Sequence, residues 1–151
     1  MADCIFCEII QGTAPASVVY EDAACKAFMD VHPIHQGHLL IVPRIHYDEL
    51  SKCPVSMAGR LFEVAARLGP VVTDVVGGTG FNIWTANGKD AGQEVFHLHL
   101  HVLPRFADDS FGLRFPQDYP QEASREELEK VAGWIKTLLW DQKRSRPSSP
   151  S

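Results

Sequence analysis

The stretch His97-Leu98-His99-Leu100-His101-Val102-Leu103-Pro104-Arg105 constrains the fold more than any other part of the chain, because three histidines alternate with aliphatic residues. Successive side chains of a strand point to opposite faces. The alternation therefore predicts His97, His99 and His101 in a row on one face, with Leu98, Leu100 and Val102 on the other. A helix would spread positions i, i+2 and i+4 over about 200° and leave the imidazoles no common face. Val95, Phe96 and Val102 also favour extended structure. The bland reading is a half-buried strand whose polar face happens to carry histidines. Three imidazoles in one period-two register point instead to chemistry, either metal ligation or nucleophilic and acid–base work near neutral pH.

The rest of the chain supplies the frame for such a strand. At 151 residues it suits one domain, expected over residues 1–141. A formal charge of −5 argues against coating nucleic acid, which relies on concentrated Lys and Arg, but leaves room for a small phosphate ligand. With no basic-then-apolar leader and no long apolar run, a cytoplasmic protein without a membrane role is expected. Cys4, Cys7, Cys25 and Cys53 are then expected as reduced thiols.

Read in order, Cys4 to Ile10 predicts a short helical hook ended by Gly12 and Pro15. Val18–Glu21 and Cys25–Met29 read as strands joined by a turn, and His38–Pro43 as a central apolar strand. Asp48 to Lys52 suggests one helical turn. Ser56–Val76 has helical spacing, with an interruption expected at Gly69-Pro70 and a kink near Ala66. Phe81–Ala86 reads as a strand, and the Asn87–Gln93 loop leads into the histidines. Residues 106–123 lack periodicity and suggest a flap of undefined role. Ser124-Arg125-Glu126-Glu127 matches a capping box before a final helix, and a disordered tail is expected from Gln142 to Ser151.

His97 to Leu103 fits the pattern His-φ-His-φ-His-φ-φ, with φ apolar. Phe28-x-Asp30, Pro33, Gly37-His38, Pro43-x-x-His46 and Asn87 through Gln93 accompany it in order and spacing. On these residues the chain resembles the histidine triad (HIT) nucleotide hydrolases and transferases, over roughly residues 4–106. The resemblance implies an α+β fold, a five-stranded antiparallel sheet with two main helices, the sheet continuing across a homodimer. It implies that His99 attacks the α-phosphorus of a nucleotide to form a nucleotidyl-histidine, while His101 and His38 donate to phosphate and leaving-group oxygens. Asn87, Gln93 and the backbone amides at Glu94 and Val95 would hold the non-bridging oxygens. Asp30 would accept from the ribose hydroxyls, and Ile5, Phe6, Ile9, Phe28 and Val31 would form the base slot. Taken alone, Asp30 also reads as a loop cap and the apolar residues as core.

The pattern splits between branches of that family. Glu94 stands where the phosphoramidases usually carry serine, and Leu103-Pro104-Arg105 resembles the dinucleoside polyphosphate hydrolases, whereas Asn87 resembles the phosphoramidases. The substrate stays open between nucleoside phosphoramidates and dinucleoside polyphosphates, and the role of Glu94 stays open with it. Cys4-x-x-Cys7 alone is compatible with a metal, a redox pair or chance. In some bacterial-type members such a motif joins the Pro-x-x-His histidine and the first triad histidine, which implies a structural zinc on Cys4, Cys7, His46 and His97. A homodimer is further suggested by Phe62, Val71, Val72, Ile83 and Trp84, more apolar surface than a small monomer needs to bury. Two other classes compete: a hydrolase using a histidine-bound catalytic metal, and a nucleotide-binding scaffold without catalysis.

Overall fold

A computed structural model of the chain describes residues 4–145. Its contacts fall into two units, one ending at Phe111 and one beginning at Gly112. The first unit carries β1 (Val18–Glu21), β2 (Cys25–Met29), β3 (Leu39–Pro43), β4 (Gly80–Trp84) and β5 (Leu100–Arg105). These make the expected five-stranded antiparallel sheet, in the order β1-β2-β3-β5-β4.

Two helices serve this sheet. α1 (Ile5–Gln11) is the predicted hook, stopped by Gly12 at φ +81°, a left-handed conformation that only glycine adopts without strain. α2 (Val55–Val76) ends on Gly77 at φ +70°. The register explains how the helices divide the faces. Phe28, Leu40, His101 and Trp84 are successive partners across β2, β3, β5 and β4, and Met29, Leu39, Val102 and Ile83 form the next row. Adjacent rows point to opposite faces. Leu39, Val102 and Ile83 pack with Leu61, Val64 and Ala65 of α2, while Phe28 and Leu40 pack with Phe6 and Ile9 of α1. The face beneath α2 is all core. The α1 face carries the imidazoles.

Three expectations need correction. The hydrogen-bonded ladder of β5 starts at Leu100, so His97 and His99 precede the strand. Continuing the β3–β5 register would set Pro43 opposite Leu98, and proline has no N–H to donate. The Pro43 carbonyl accepts from the His97 ring at 2.9 Å, and the Leu98 N–H donates to the Tyr47 carbonyl at 2.6 Å. The alternation of faces nevertheless persists, because Leu98, Leu100 and Val102 are all fully buried in the α2-side core. Second, α2 runs unbroken through Gly69-Pro70. Packing of Leu61, Val64 and Ala65, with Leu68 and Val72 against the same cluster, outweighs the one backbone bond that Pro70 removes. Third, Val72 and Ile83 pack into the chain's own core, and Trp84 stacks on His101. Of the apolar residues read as surplus, only Phe62 and Val71 are left exposed, at 46% and 58%.

The second unit contains α3 (Arg125–Ser145). Its start is the predicted capping box: Ser124 Oγ accepts from the Glu127 N–H, and Glu127 Oε2 accepts from the Ser124 N–H, each at 3.2 Å. Lys143 and Arg144 in the last turn suit the negative end of the helix dipole. The helix continues through Ser145, so Gln142–Ser145 are helical where a tail was expected. Residues 146–151 lie outside the described residues.

Candidate active site and metal centre

On the α1 face a cavity of about 710 Å³ opens between α1, the Asp30–His38 loop and the end of β5. Ile5, Phe6, Ile9, Phe28, Val31 and Val95 line its apolar side. Asp30, His32, His38, Glu94, His99 and His101 line its polar side, and among the described residues no Lys or Arg lines it.

Hydrogen bonds assign the tautomer of each imidazole. His99 Nδ1 lies 2.7 Å from the carbonyl oxygen of His97 and must carry the proton it donates there. Its Nε2 keeps a lone pair and has no hydrogen-bond partner among the described residues. The Phe6 ring meets His99 edge-on, with centroids 5.2 Å apart. His38 Nδ1 accepts from the Ile34 N–H at 3.2 Å, so its proton sits on Nε2, 2.9 Å from His101 Nδ1. His101 therefore accepts at Nδ1 and keeps its own proton on Nε2. His101 thus offers an Nε2–H donor beside the His99 ring, whose Nε2 lone pair is free, with 4.9 Å between the ring centroids.

Burial favours the neutral form of these rings. Desolvation lowers His99 below the usual histidine range and pushes His101 down to about 4, with His99 and His38 adding to the shift in His101. Burial also lowers His38, against the opposing pull of Asp30, whose Oδ2 is 3.6 Å away.

Asp30 does the turn work that a loop cap would do, since its Oδ1 accepts from the His32 N–H at 2.9 Å, and it lines the cavity as well. Asn87 and Gln93 do not line it. Asn87 Oδ1 accepts from the Leu50 N–H at 2.8 Å. Gln93 is buried, accepts from the Gly88 N–H at 2.9 Å, and donates to the Asp48 and Val95 carbonyls at 2.6 and 3.1 Å. Both side chains brace the loop that carries Glu94 and Val95; the Gln93 amide is fully engaged by backbone groups, whereas Asn87 spends only its oxygen.

Behind His99 lies a second cluster. One ligand atom from each of Cys4, Cys7, His46 and His97 falls within 4.8 Å of the others, a group able to hold a metal ion. Cys4 Sγ and Cys7 Sγ are 3.4 and 3.6 Å from His97 Nδ1, and Cys7 Sγ is 3.4 Å from His46 Nδ1. Each ring has its other nitrogen engaged. His97 Nε2 donates to the Pro43 carbonyl, and His46 Nε2 donates to Asp48 Oδ1 at 3.0 Å. Both Nδ1 lone pairs are thereby aimed at the thiols, the orientation that metal-binding histidines take from their second partners.

The HIT domain profile matches residues 11–108. The chain belongs to the HIT family. It is 37% identical over 103 residues to the adenylylsulfatase HINT3 of Arabidopsis thaliana, covering 68% of this chain and 52% of that protein, so it spans about half of that relative's length. It is 34% identical over 127 residues to the adenosine 5′-monophosphoramidase HNT1 of Candida albicans, covering 82% of each. Among solved structures, SMU.412c of Streptococcus mutans gives a TM-score of 0.86 at 35% identity, covering 92% of this chain and 87% of that one. A zinc-bound histidine triad family protein of Mycobacterium smegmatis gives 0.70 at 31% identity, covering 89% and 96%.

In this HIT protein the sequence pattern located the imidazoles but missed one neighbour. Trp84 lines the cavity and stacks on His101 with centroids 4.5 Å apart and planes at 4°. The only signal for it was cross-strand pairing with His101, which depends on how β4 and β5 align.

Proposed function

We propose that this HIT protein hydrolyses nucleotides at the α-phosphorus and releases a nucleoside monophosphate, with His99 as the covalent nucleophile. The observation that carries this is the fixed tautomer of His99, whose Nδ1–H is spent on the His97 carbonyl so that Nε2 alone can attack. The Nε2 lone pair forms a bond to phosphorus as the bond to the leaving group breaks, its electron pair departing with that group. Water then attacks the same phosphorus, cleaves the P–N bond and returns neutral imidazole. His101 Nε2–H, fixed by His38, donates its proton to the departing group and regains one from the attacking water, while the N–H groups of Glu94 and Val95, which have no acceptor among the described residues, support charge on the phosphoryl oxygens. The nucleoside lies against Phe6, Ile9 and Phe28, with its ribose toward Asp30.

The lining bears on the leaving group. Two carboxylates, Asp30 and Glu94, with no Lys or Arg beside them among the described residues, disfavour a polyphosphate chain and favour a leaving group of low negative charge, such as an amine. The relatives' names agree on an adenylate half and differ in what is attached to it. We read the metal cluster as a structural zinc. A tetrahedral zinc with bonds of about 2.3 Å to sulfur and 2.0 Å to nitrogen sets S and N ligands roughly 3.5 Å apart, close to the 3.4 and 3.6 Å of Cys4, Cys7 and His97. Such an ion would tie α1 to the chain at His46 and His97 and supply folding energy. A cytoplasmic location fits this chemistry, and among the described residues no helix is long and apolar enough to cross a membrane.

A second reading has an observation of its own, because Asp30, His38 and His101 also converge closely enough to bind a metal that could activate water. One experiment separates the readings. Enzyme mixed with adenosine 5′-phosphoramidate is quenched in base, where phosphohistidine survives, and digested. An adenylyl mass on the peptide bearing His99 is expected. Turnover abolished by a chelator, with no adduct, would favour the metal reading; binding with neither turnover nor adduct would favour a scaffold.

A further inference from the structure

We propose that Trp84 is a positioning residue for His101, holding its ring so that Nε2–H meets the leaving group, and that the turn after β5 holds Trp84 in place. This rests on the α-phosphoryl reading above.

His101 is held at one edge by His38, through the 2.9 Å hydrogen bond at Nδ1. One hydrogen bond leaves an imidazole free to swing about its χ2, a soft torsion for this residue type. The stack removes that freedom: at 4° between planes, any rotation of His101 drives its edge into the indole. Trp84 is directly opposite His101 in the β4–β5 register, so the contact is built into the sheet.

Trp84 is in turn supported. The Phe111 ring lies 6.3 Å from it at 32°. Phe111 belongs to a turn organised by Asp109, whose carboxylate is almost fully buried. Asp109 accepts from Arg105 Nε and Nη2 at 2.7 Å each, from the Phe106 N–H at 3.0 Å and from the Phe111 N–H at 3.2 Å. Arg105 also donates to the Phe111 carbonyl and lies over its ring at 5.1 Å. The same Asp109 is 3.1 Å from His35, which sits three residues before His38. Contacts thus close a loop around the His38–His101 pair, one side through Trp84 and Phe111, the other through Asp109 and His35. Such bracing is what keeps a catalytic donor within a fraction of an ångström of its working position.

The groups around His101 are its partner His38, Asp30 beyond it, His99 at 4.9 Å between ring centroids, and the uncharged indole. A donor fixed by Trp84 matters most when the departing group must take up much negative charge. The test compares Trp84→Phe and Trp84→Leu on an adenosine monophosphate p-nitrophenyl ester, a good leaving group, and on an adenosine monophosphate alkylamidate, a poor one. Trp84→Leu is expected to lower kcat at least tenfold more on the amidate than on the ester, with KM little changed, and Trp84→Phe to restore most of the loss. Added to His101→Ala, Trp84→Leu should cost nothing further. Equal losses on both substrates, or a full additional loss in the His101→Ala background, would overturn the proposal.

A second measurement does not depend on turnover. The proton shared by His38 Nε2 and His101 Nδ1 should give a downfield proton resonance that Trp84→Phe keeps and Trp84→Leu broadens away. An unchanged resonance in a folded Trp84→Leu protein would also overturn it. If the wild type cleaves neither substrate, the α-phosphoryl reading fails, while the resonance still decides what Trp84 does.

Discussion

The Nδ1 of His99 lies 2.7 Å from the backbone carbonyl oxygen of His97, and the His97 side chain belongs to the metal cluster. The proposed nucleophile therefore takes its tautomer from the main chain of a residue whose ring does another job. Anything that shifts His97 disturbs His99 without touching the cavity.

Replacing His99 by alanine deletes the attacking nitrogen and leaves Phe6, Phe28 and Asp30 in place. Steady-state turnover should fall by at least about a thousandfold, as loss of a covalent catalyst does, while calorimetry shows nucleoside monophosphate affinity within a few-fold of wild type. His101→Ala should be milder, about 10²-fold in kcat, because the nucleophile and the backbone donors remain. Comparable turnover in His99→Ala would refute the assignment.

Metal content gives a separate expectation. Elemental analysis of gently purified protein should find about one zinc per chain. Cys4→Ser should lose it and melt at least about 5 °C lower, a change of one to two kcal/mol in a domain of this size. Activity should decline together with stability, through His97. A variant that melts like wild type and contains no metal would remove the zinc from the account.

Burial lowers His99 and His38 below the ordinary histidine value and takes His101 to about 4. For the reaction, the nucleophile stays unprotonated below the pH at which free imidazole would be half charged. The log of kcat/KM should be level from pH 7.5 down through about 6.5 and bend downward only below it. For stability the sign is the same. The unfolded chain binds protons near pH 6.5 while the buried rings do not, so the contribution is complete above that pH and is lost as pH falls toward about 4. Urea melts at pH 7, 6 and 5 should show a falling midpoint.

Phe62 and Val71 are both exposed on α2, nine residues and thus about 180° apart around the helix, and we propose that a second copy of the chain covers the Phe62 side. Light scattering at micromolar concentration should give twice the chain mass of 16.8 kDa. Phe62→Glu should return the monomer value with little change in the melting temperature of the isolated chain. A wild-type monomer mass would end the proposal.

What the sequence disclosed was what depends on near neighbours. The period of two in His97–Val102 sorted imidazoles from core without any knowledge of pairing, and the Ser124–Glu127 spacing marked a helix start that the hydrogen bonds reproduce. What it hid was set by contacts between distant segments. Trp84 read as spare apolar surface because its stacking partner is seventeen positions away and meets it only through strand alignment. Gln93 stood where a phosphate ligand would, yet three backbone groups take its amide, and side-chain type alone does not say which partner wins. The ladder began three residues late because Pro43, on another strand, has no N–H to give.

The row Phe28, Leu40, His101 and Trp84 crosses four strands at one level. Chemistry and core are separated there by a single residue step, since Val102 and Leu100 beside His101 are wholly buried. A one-residue insertion or deletion within β5 would turn imidazoles into the core and leucines toward the ligand, failing as fold and as catalyst at once. Strand length is thus closed to evolutionary tinkering in this chain, and new substrates must be won at the rims: the hook before Gly12, the loop from Asp30 to His38, and the approach through Glu94.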